Sequence, residues 1–370
     1  MKVAHILNKI EFSGAETMLF QASDMFAANG VETTLVASEI EPGRFEPSMR
    51  EAGYKIDNVG AASSLKFLKN FYNYFSSHQF DVVHIHTEKL YLWKVVLLRL
   101  SGHRNIVRTF HNCWTFGGYI RLKLILHRRL ATYLGVKKHA IGDAVLANES
   151  KMFLNKCYQI NNWILTDNQL IKNQVAIRRE KRKELGIPED NFVIISVGGC
   201  SSVKNHGFIL ELVNNLVEQG LKITYLHAGT GVDEPAEKQS ASQLGIDTQV
   251  IFAGNRKDIP ELLIGSDVYM MPSLFEGLSI ALLEAMYYNG LVIVNNAPGL
   301  NNIVDNNKTG FVIDISDNTI YLELLKSLIG GNTPVAVIRE EARRFIGDKF
   351  SLENNVGELL KYYKLNTNIK

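Results

Sequence analysis

A chain of 370 residues, 46% apolar and 21% charged, has the length of two domains that each bury a core and the ordinary composition of a globular protein. Its three cysteines, Cys113, Cys157 and Cys200, are too few and too scattered for a disulfide framework or a zinc site, and they point to a reducing compartment. The net charge of +2 is unevenly placed: residues 1–165 hold 20 Lys and Arg against 13 Asp and Glu, whereas residues 166–370 hold 20 against 25.

The chain opens on an apolar run at 3–7 that has strand length and ends too soon for a signal peptide. Further strand-like runs at 33–36, 82–85 and 106–109 alternate with longer helical stretches, which predicts a parallel sheet covered by helices. Between the first strand and the first helix lies Glu11-Phe12-Ser13-Gly14-Ala15-Glu16. Gly14 lets a backbone turn tightly against a ligand, and loops at the carboxyl ends of parallel strands line binding clefts. An ordinary turn accounts for it equally well.

Alternation along the run 81–87 sends His84 and His86 to one face and Val83 and Ile85 to the other. A structural role at a strand end is the default for such histidines, and their separate strands do not specify a metal cluster. The next strand ends in Arg108-Thr109-Phe110-His111-Asn112, followed by the aromatic and glycine-rich run Cys113-Trp114-Thr115-Phe116-Gly117-Gly118-Tyr119. That run suits an acceptor loop, a cap or a core contact. The apolar segment 90–100 is interrupted by Lys94 and is too short to cross a bilayer, so a soluble or peripheral protein is expected. Basic residues concentrate from Arg104 to Lys156, including Arg121, Lys123, Arg128, Arg129, Lys137 and Lys138. They read as a solvated helix face or as attraction to an anionic membrane or acidic acceptor; no nucleic-acid recognition motif accompanies them.

The pattern breaks around 167–183, a charged stretch that reads as an interdomain boundary. A second alternating series then places strands at 192–197, 223–227, 250–252, 268–271, 292–294 and 311–313. Its first turn, from Gly198 to Gly207, frees the backbone and puts Lys204 at a helix entrance, where it can pair with phosphate. The Gly-Lys-Ser/Thr end of a Walker loop is missing. The next turn, Ala228-Gly229-Thr230-Gly231, has Glu234 where a dinucleotide fingerprint needs its third glycine, which weighs against hydride transfer. Neither half contains an Asp-x-Asp triplet, one obvious holder of a divalent metal on a nucleotide diphosphate.

The stretch from Ser266 to Met286 predicts a strand ending at Pro272-Ser273, a turn carrying Glu276-Gly277, and a helix that follows at once and contains Glu284. If all the intervening residues were helical, the two carboxylates would stand about 12 Å apart along the axis. That spacing suits an extended ligand with an anionic middle section over the helix N-terminus. Asn295 to Asn302 forms another strand-end turn around Pro298-Gly299, and Ser351 is a suitable N-cap for a closing helix through about Tyr363.

These motifs, in this order, resemble the retaining nucleotide-sugar glycosyltransferases of the GT-B fold, the group 1 glycosyl transferase family. The likeness is carried by Glu276 and Glu284 as a Glu-x7-Glu pair, by Phe252 to Pro260 upstream, and by Pro298-Gly299 and Thr309-Gly310-Phe311 downstream. The N-terminal half adds the Ser13 to Glu16 loop and His111 after a strand. The resemblance implies an α/β chain of two Rossmann-like domains facing across a deep cleft: 1–165 binding acceptor, 166–347 binding nucleotide sugar, and 348–370 a helix crossing back to the first domain.

The resemblance further implies catalytic roles for Glu276, His111 and Lys204. Donor contacts would come from Gly14, Gly198, Lys204, Gly229, Gly254, Arg256, Pro272, Glu276, Gly277, Leu278, Ser279 and Glu284. Glu284 would hold the ribose hydroxyls, Glu276 the transferred sugar and Lys204 the diphosphate, with His111 beside the donor sugar. Gly199 stands near the place of a usual family arginine, and Asn301 and Asn302 replace an acidic residue. The implied reaction is metal-independent and uses no cofactor. It moves a sugar, with retention, from a UDP-sugar, or alternatively a GDP-sugar, to a glycan or lipid-linked glycan in cell-surface polysaccharide or glycolipid synthesis. The expected location is cytoplasmic, with peripheral contact at the inner membrane face. A nucleotide-sugar epimerase and a catalytically silent sugar-nucleotide-binding module are the alternatives; donor consumption without an acceptor-linked product would mark the first, and binding without turnover the second.

Overall fold

The computed structural model describes residues 1–113 and 115–365. The chain divides into two compact units, one formed by Met1–Leu165 together with the chain from Ser351 onward, the other by Thr166–Phe350.

The first unit contains seven strands, β1 (Lys2–Leu7), β2 (Glu32–Ala37), β3 (Lys55–Asn58), β4 (Val82–Ile85), β5 (Ile106–Phe110), β6 (Lys137–Ala140) and β7 (Tyr158–Gln159). They pair in parallel in the order β3-β2-β1-β4-β5-β6-β7. Helices cover both faces, so β1, β4 and β5 are nearly or wholly buried along their length, the polar His5, His84, Arg108 and Thr109 included. The helix Ser64–Ser77 lays Phe67, Phe71 and Phe75, spaced one turn apart, against Ala4, Ile6, Val83 and Ile85. The opposite face packs Val3, Leu7, Leu35 and Val107 with Met18, Phe26 and Trp163. Strands β3, β6 and β7 escape sequence reading because they lie toward the sheet edges, are short and carry polar residues.

The second unit contains β8 (Phe192–Val197), β9 (Ile223–Ala228), β10 (Val250–Phe252), β11 (Val268–Met271), β12 (Val292–Asn295) and β13 (Phe311–Ile313). They form a parallel sheet in the order β10-β9-β8-β11-β12-β13. The order reverses beside β8, which makes the ends of β8 and β11 the natural ligand position of a doubly wound sheet. The division between the units falls at Leu165/Thr166, where the charged stretch begins, and the helix Gln174–Glu184 belongs to the second unit. Arg182 is buried, donates to the Gly265 carbonyl at 3.0 Å and pairs with Asp267 at 2.7 Å, and Arg178 pairs with the same carboxylate at 2.7 Å. These two arginines are thus spent on a helix end and a partly buried acid, which composition alone cannot distinguish from a solvated run.

The closing helix, Leu352–Lys364, adds Leu352, Val356, Leu359, Leu360 and Tyr363 to the core of the first unit. Its entry is fixed by the Leu352 N–H donating to the Ile164 carbonyl at 3.0 Å. Ser351 occupies the N-cap position, but its side chain makes no capping bond. Among the described residues no helix is long and apolar enough to cross a membrane.

Candidate functional site

Three turns meet at the carboxyl ends of β8, β9 and β11. Gly198 N–H donates to the Ala228 carbonyl at 3.0 Å, and Gly229 N–H donates to the Gly254 carbonyl at 2.8 Å. A Cβ on Gly229 would lie 1.9 Å from the Gly198 oxygen, so only glycine permits this approach. Leu274 N–H donates to the Val203 carbonyl at 2.9 Å, tying the loop after β11 to the loop after β8. The result is a contact between two side chains 72 residues apart: Lys204 Nζ stands 2.6 Å from Glu276 Oε1, with both side chains largely buried.

Glu276 is held from behind as well. Its N–H donates to the Pro298 carbonyl at 3.0 Å. Gly299, at φ +85°, passes so close that a Cβ there would lie 2.1 Å from the Glu276 carbonyl oxygen. Residues 272–279, including Pro272, Gly277 and Leu278, are not helical, and the helix runs Ile280–Tyr288 with Ser279 as N-cap, its hydroxyl accepting from the Leu282 N–H at 3.3 Å. Eight helical steps therefore do not describe the path from Glu276 to the buried Glu284. Burial pushes the Tyr269 hydroxyl, at the start of the same strand–turn–helix unit, well above its usual range, and the charges of Glu276 and Glu284 add to that. Ser273, at the end of β11, has a buried hydroxyl without a hydrogen-bond partner.

Arg256 is paired within the second unit. Its guanidinium is engaged by Asp258 at 2.7 Å and Glu184 at 2.6 Å, and Lys181 joins the same network through Asp258. Asn301 and Asn302 line an open pocket of about 940 Å³ with Asp305, Thr309, Arg344 and Asp348; Lys204, Glu276 and Glu284 are not in its lining.

In the first unit, Gly14 is the first residue of the helix Gly14–Gln21 and does not adopt a left-handed conformation. The Ser13 hydroxyl instead donates to Glu16, whose carboxyl is pushed up to about 7 by burial. His111 is one end of a string of imidazoles. His86 bridges to His111 and to His5 at 2.9 Å each; His84 bonds the Tyr363 hydroxyl and Thr109, and Thr109 reaches His139 at 2.6 Å. Burial holds all five histidines well below the usual imidazole range, helped at His84 and His86 by their neighbours. The alternation that placed His84 and His86 on one face gave no hint of His5 or His139, which arrive from β1 and β6. Trp114 of the proposed acceptor loop lies outside the described residues.

Basic charge is also less available than counting suggests. Arg128 is buried, with Glu149 at 2.8 Å and Glu88 at 3.1 Å. The rest of its helix, Gly118–Tyr133, exposes Tyr119, Ile120, Leu122, Leu126, Leu130 and Tyr133 beside Lys123 and Arg129.

Two family profiles cover these units: one described as "Glycosyltransferase Family 4" matches residues 12–152, and one described as "Glycosyl transferases group 1" matches residues 177–345. The chain belongs to the group 1 glycosyl transferases. It is 26% identical to the EpsF protein of Bacillus subtilis (strain 168), over 99% of this chain and 97% of that protein. It is 24% identical to the UDP-Gal:alpha-D-GlcNAc-diphosphoundecaprenol alpha-1,3-galactosyltransferase of Escherichia coli, over 98% and 96%. Among solved structures, that of Anabaena Alr3699/HepE in complex with UDP-glucose matches with a TM-score of 0.80 at 16% identity, over 98% of this chain and 99% of that one. Such a likeness establishes the fold, GT-B, for this glycosyltransferase.

Proposed function

We propose that this glycosyltransferase moves a sugar from a UDP-sugar to a glycan or lipid-linked glycan acceptor, with retention of configuration, in the synthesis of a cell-surface polysaccharide or glycolipid. The observation that carries the reading is the Lys204–Glu276 contact at the carboxyl end of the second sheet, with Glu284 buried on the following helix. A cation paired with one carboxylate at the strand end, and a second carboxylate on the helix that follows, suit the three parts of one donor. Glu284 accepts from the ribose hydroxyls, Glu276 from hydroxyls of the sugar, and Lys204 exchanges part of its carboxylate contact for the diphosphate. As the bond between the anomeric carbon and the phosphate oxygen breaks, Lys204 stabilises the charge growing on the leaving group. The acceptor oxygen attacks on the same face, and its proton passes to the departing phosphate. His111, in the first unit, is held neutral by burial rather than acting as a cation.

The choice of uridine rests on the UDP-glucose bound by the Anabaena protein and the UDP-galactose named for the Escherichia coli relative. That relative's diphosphoundecaprenol acceptor, together with the apolar and basic face of the helix Gly118–Tyr133, supports a lipid-linked acceptor met at an anionic membrane surface. The test is nucleotide release from a panel of UDP- and GDP-sugars, with and without sugar-diphosphate-polyprenol acceptors, followed by NMR of the product anomer. Release stimulated by acceptor, with a retained anomer, is expected. A protein that turns over no nucleotide sugar with any of these acceptors, or inverts the anomer, does not fit this reading.

A further inference from the structure

Behind the loop that carries Lys204 lies a second cluster of donor atoms. Cys200 comes from that loop, His206 from the first turn of the helix His206–Glu218, His227 from β9 and Glu237 from the helix Glu234–Gln243. All four are buried, and one ligand atom from each lies within 4.8 Å of the others. Cys200 Sγ is 3.2 Å from His227 Nε2, and His206 Nδ1 is 3.0 Å from Glu237 Oε1. A tetrahedral zinc ion with bonds of about 2.0 to 2.3 Å sets its ligands about 3.4 Å apart, so these pairs already stand near the edges of such a polyhedron. We propose that Cys200, His206, His227 and Glu237 form a structural zinc site in the second unit.

Three observations support it. The first is charge: a thiolate and a carboxylate together cancel a dication while two neutral imidazoles complete the shell, so the buried assembly carries no net charge. The second is the outer shell, since Ser196 Oγ bonds His227 Nδ1 at 2.8 Å and is itself anchored by the Tyr225 hydroxyl at 2.7 Å, leaving Nε2 to face the cluster. The third is Glu237 Oε2, which is buried without a hydrogen-bond partner. The histidine group His5, His84 and His86 in the first unit is also close enough for a metal, but both nitrogens of His84 are engaged by Tyr363 and Thr109, and three imidazoles offset no charge.

Binding converts the Cys200 thiol to a zinc thiolate and releases one proton to solvent. With four protein ligands the site has no open position, so it clips the Gly198–Asn205 loop to β9 and to the helix beyond instead of activating water. The site does not depend on the donor reading given above. Its test uses the untagged full-length chain, stripped with a chelator and reloaded with Zn²⁺ or Co²⁺ alone. One zinc per chain by elemental analysis is expected, together with a near-ultraviolet sulfur-to-cobalt charge-transfer band that disappears in Cys200→Ser. Ser196→Ala, which removes no ligand, should weaken Zn²⁺ binding about tenfold or more in competition with a chromophoric chelator. Absence of the thiolate band from the cobalt-loaded wild-type chain, which needs no variant to fold, overturns the proposal, as does equal zinc affinity of the wild type and a folded Cys200→Ser.

Discussion

Glu284→Ala removes a buried carboxylate from the proposed ribose contact, and a charge-assisted hydrogen bond of about 1.5 to 3 kcal/mol corresponds to a rise in donor KM of about 10- to 100-fold. Unchanged nucleotide affinity by calorimetry would contradict that role. Lys204→Ala has a different signature: if its charge matters most as the phosphate departs, kcat falls about 100-fold while donor affinity changes much less. Gly299 is positional. A methyl group there meets the Glu276 backbone in a left-handed conformation, so Gly299→Ala should cost more than about 1 kcal/mol in the urea unfolding of the second unit. An unaltered midpoint would show that the turn yields. Glu276, Lys204 and Glu284 were legible in the sequence because turn residues and a helix entrance bracket them. The contact of Lys204 with Glu276 was not, since it depends on loops joined across 72 residues. The ion pairs of Arg256 were hidden as well: its carboxylate partners Glu184 and Asp258 come from the end of the charged boundary stretch and from two residues along its own turn.

Among the elements, β1, β4, β5 and β6 each contribute to a line of neutral histidines, and acid should unravel it. Their folded pKa values lie below the unfolded value of about 6.5, so the unfolded chain binds protons first as pH falls. The stability they lend is full above pH 6.5 and is lost as pH falls below it, at about 1.4 kcal/mol per pH unit for each group that the unfolded state protonates alone. Glu16, raised to about 7, works in the opposite sense, one group against five. Urea midpoints for the first unit should therefore drop between pH 7 and pH 5; a flat or rising profile would mean that the imidazoles titrate freely. The helix Gly118–Tyr133 carries the membrane prediction. Its binding to anionic vesicles should fade with salt, and Leu122→Asp with Leu126→Asp should weaken it about tenfold or more without affecting the fold. Sedimentation that ignores both salt and substitution would argue against this face. Apolar runs made the long central strands readable, whereas edge strands such as β3 and β7 hid among polar residues because only one neighbour buries them.

On the scale of the molecule, the first unit is closed by residues from the far end of the chain. Leu352, Val356, Leu359, Leu360 and Tyr363 fill its core, each worth about 2 kcal/mol of burial, and Tyr363 also supplies the hydroxyl bonded to His84. Removing residues 351–370 should lower the hydrogen-exchange protection of β1 and β4 while leaving β8 and β11 as protected as before. Equal loss in both sheets would mean that the units do not unfold separately. The same arrangement sets an order of events on the ribosome. The second unit is one uninterrupted segment and can close as soon as Phe350 has emerged, whereas the first unit, though begun earlier, waits for the last helix before its core is complete. The half of the protein translated first is thus the half that finishes folding last, and its open sheet face is the surface that chaperones would meet during synthesis.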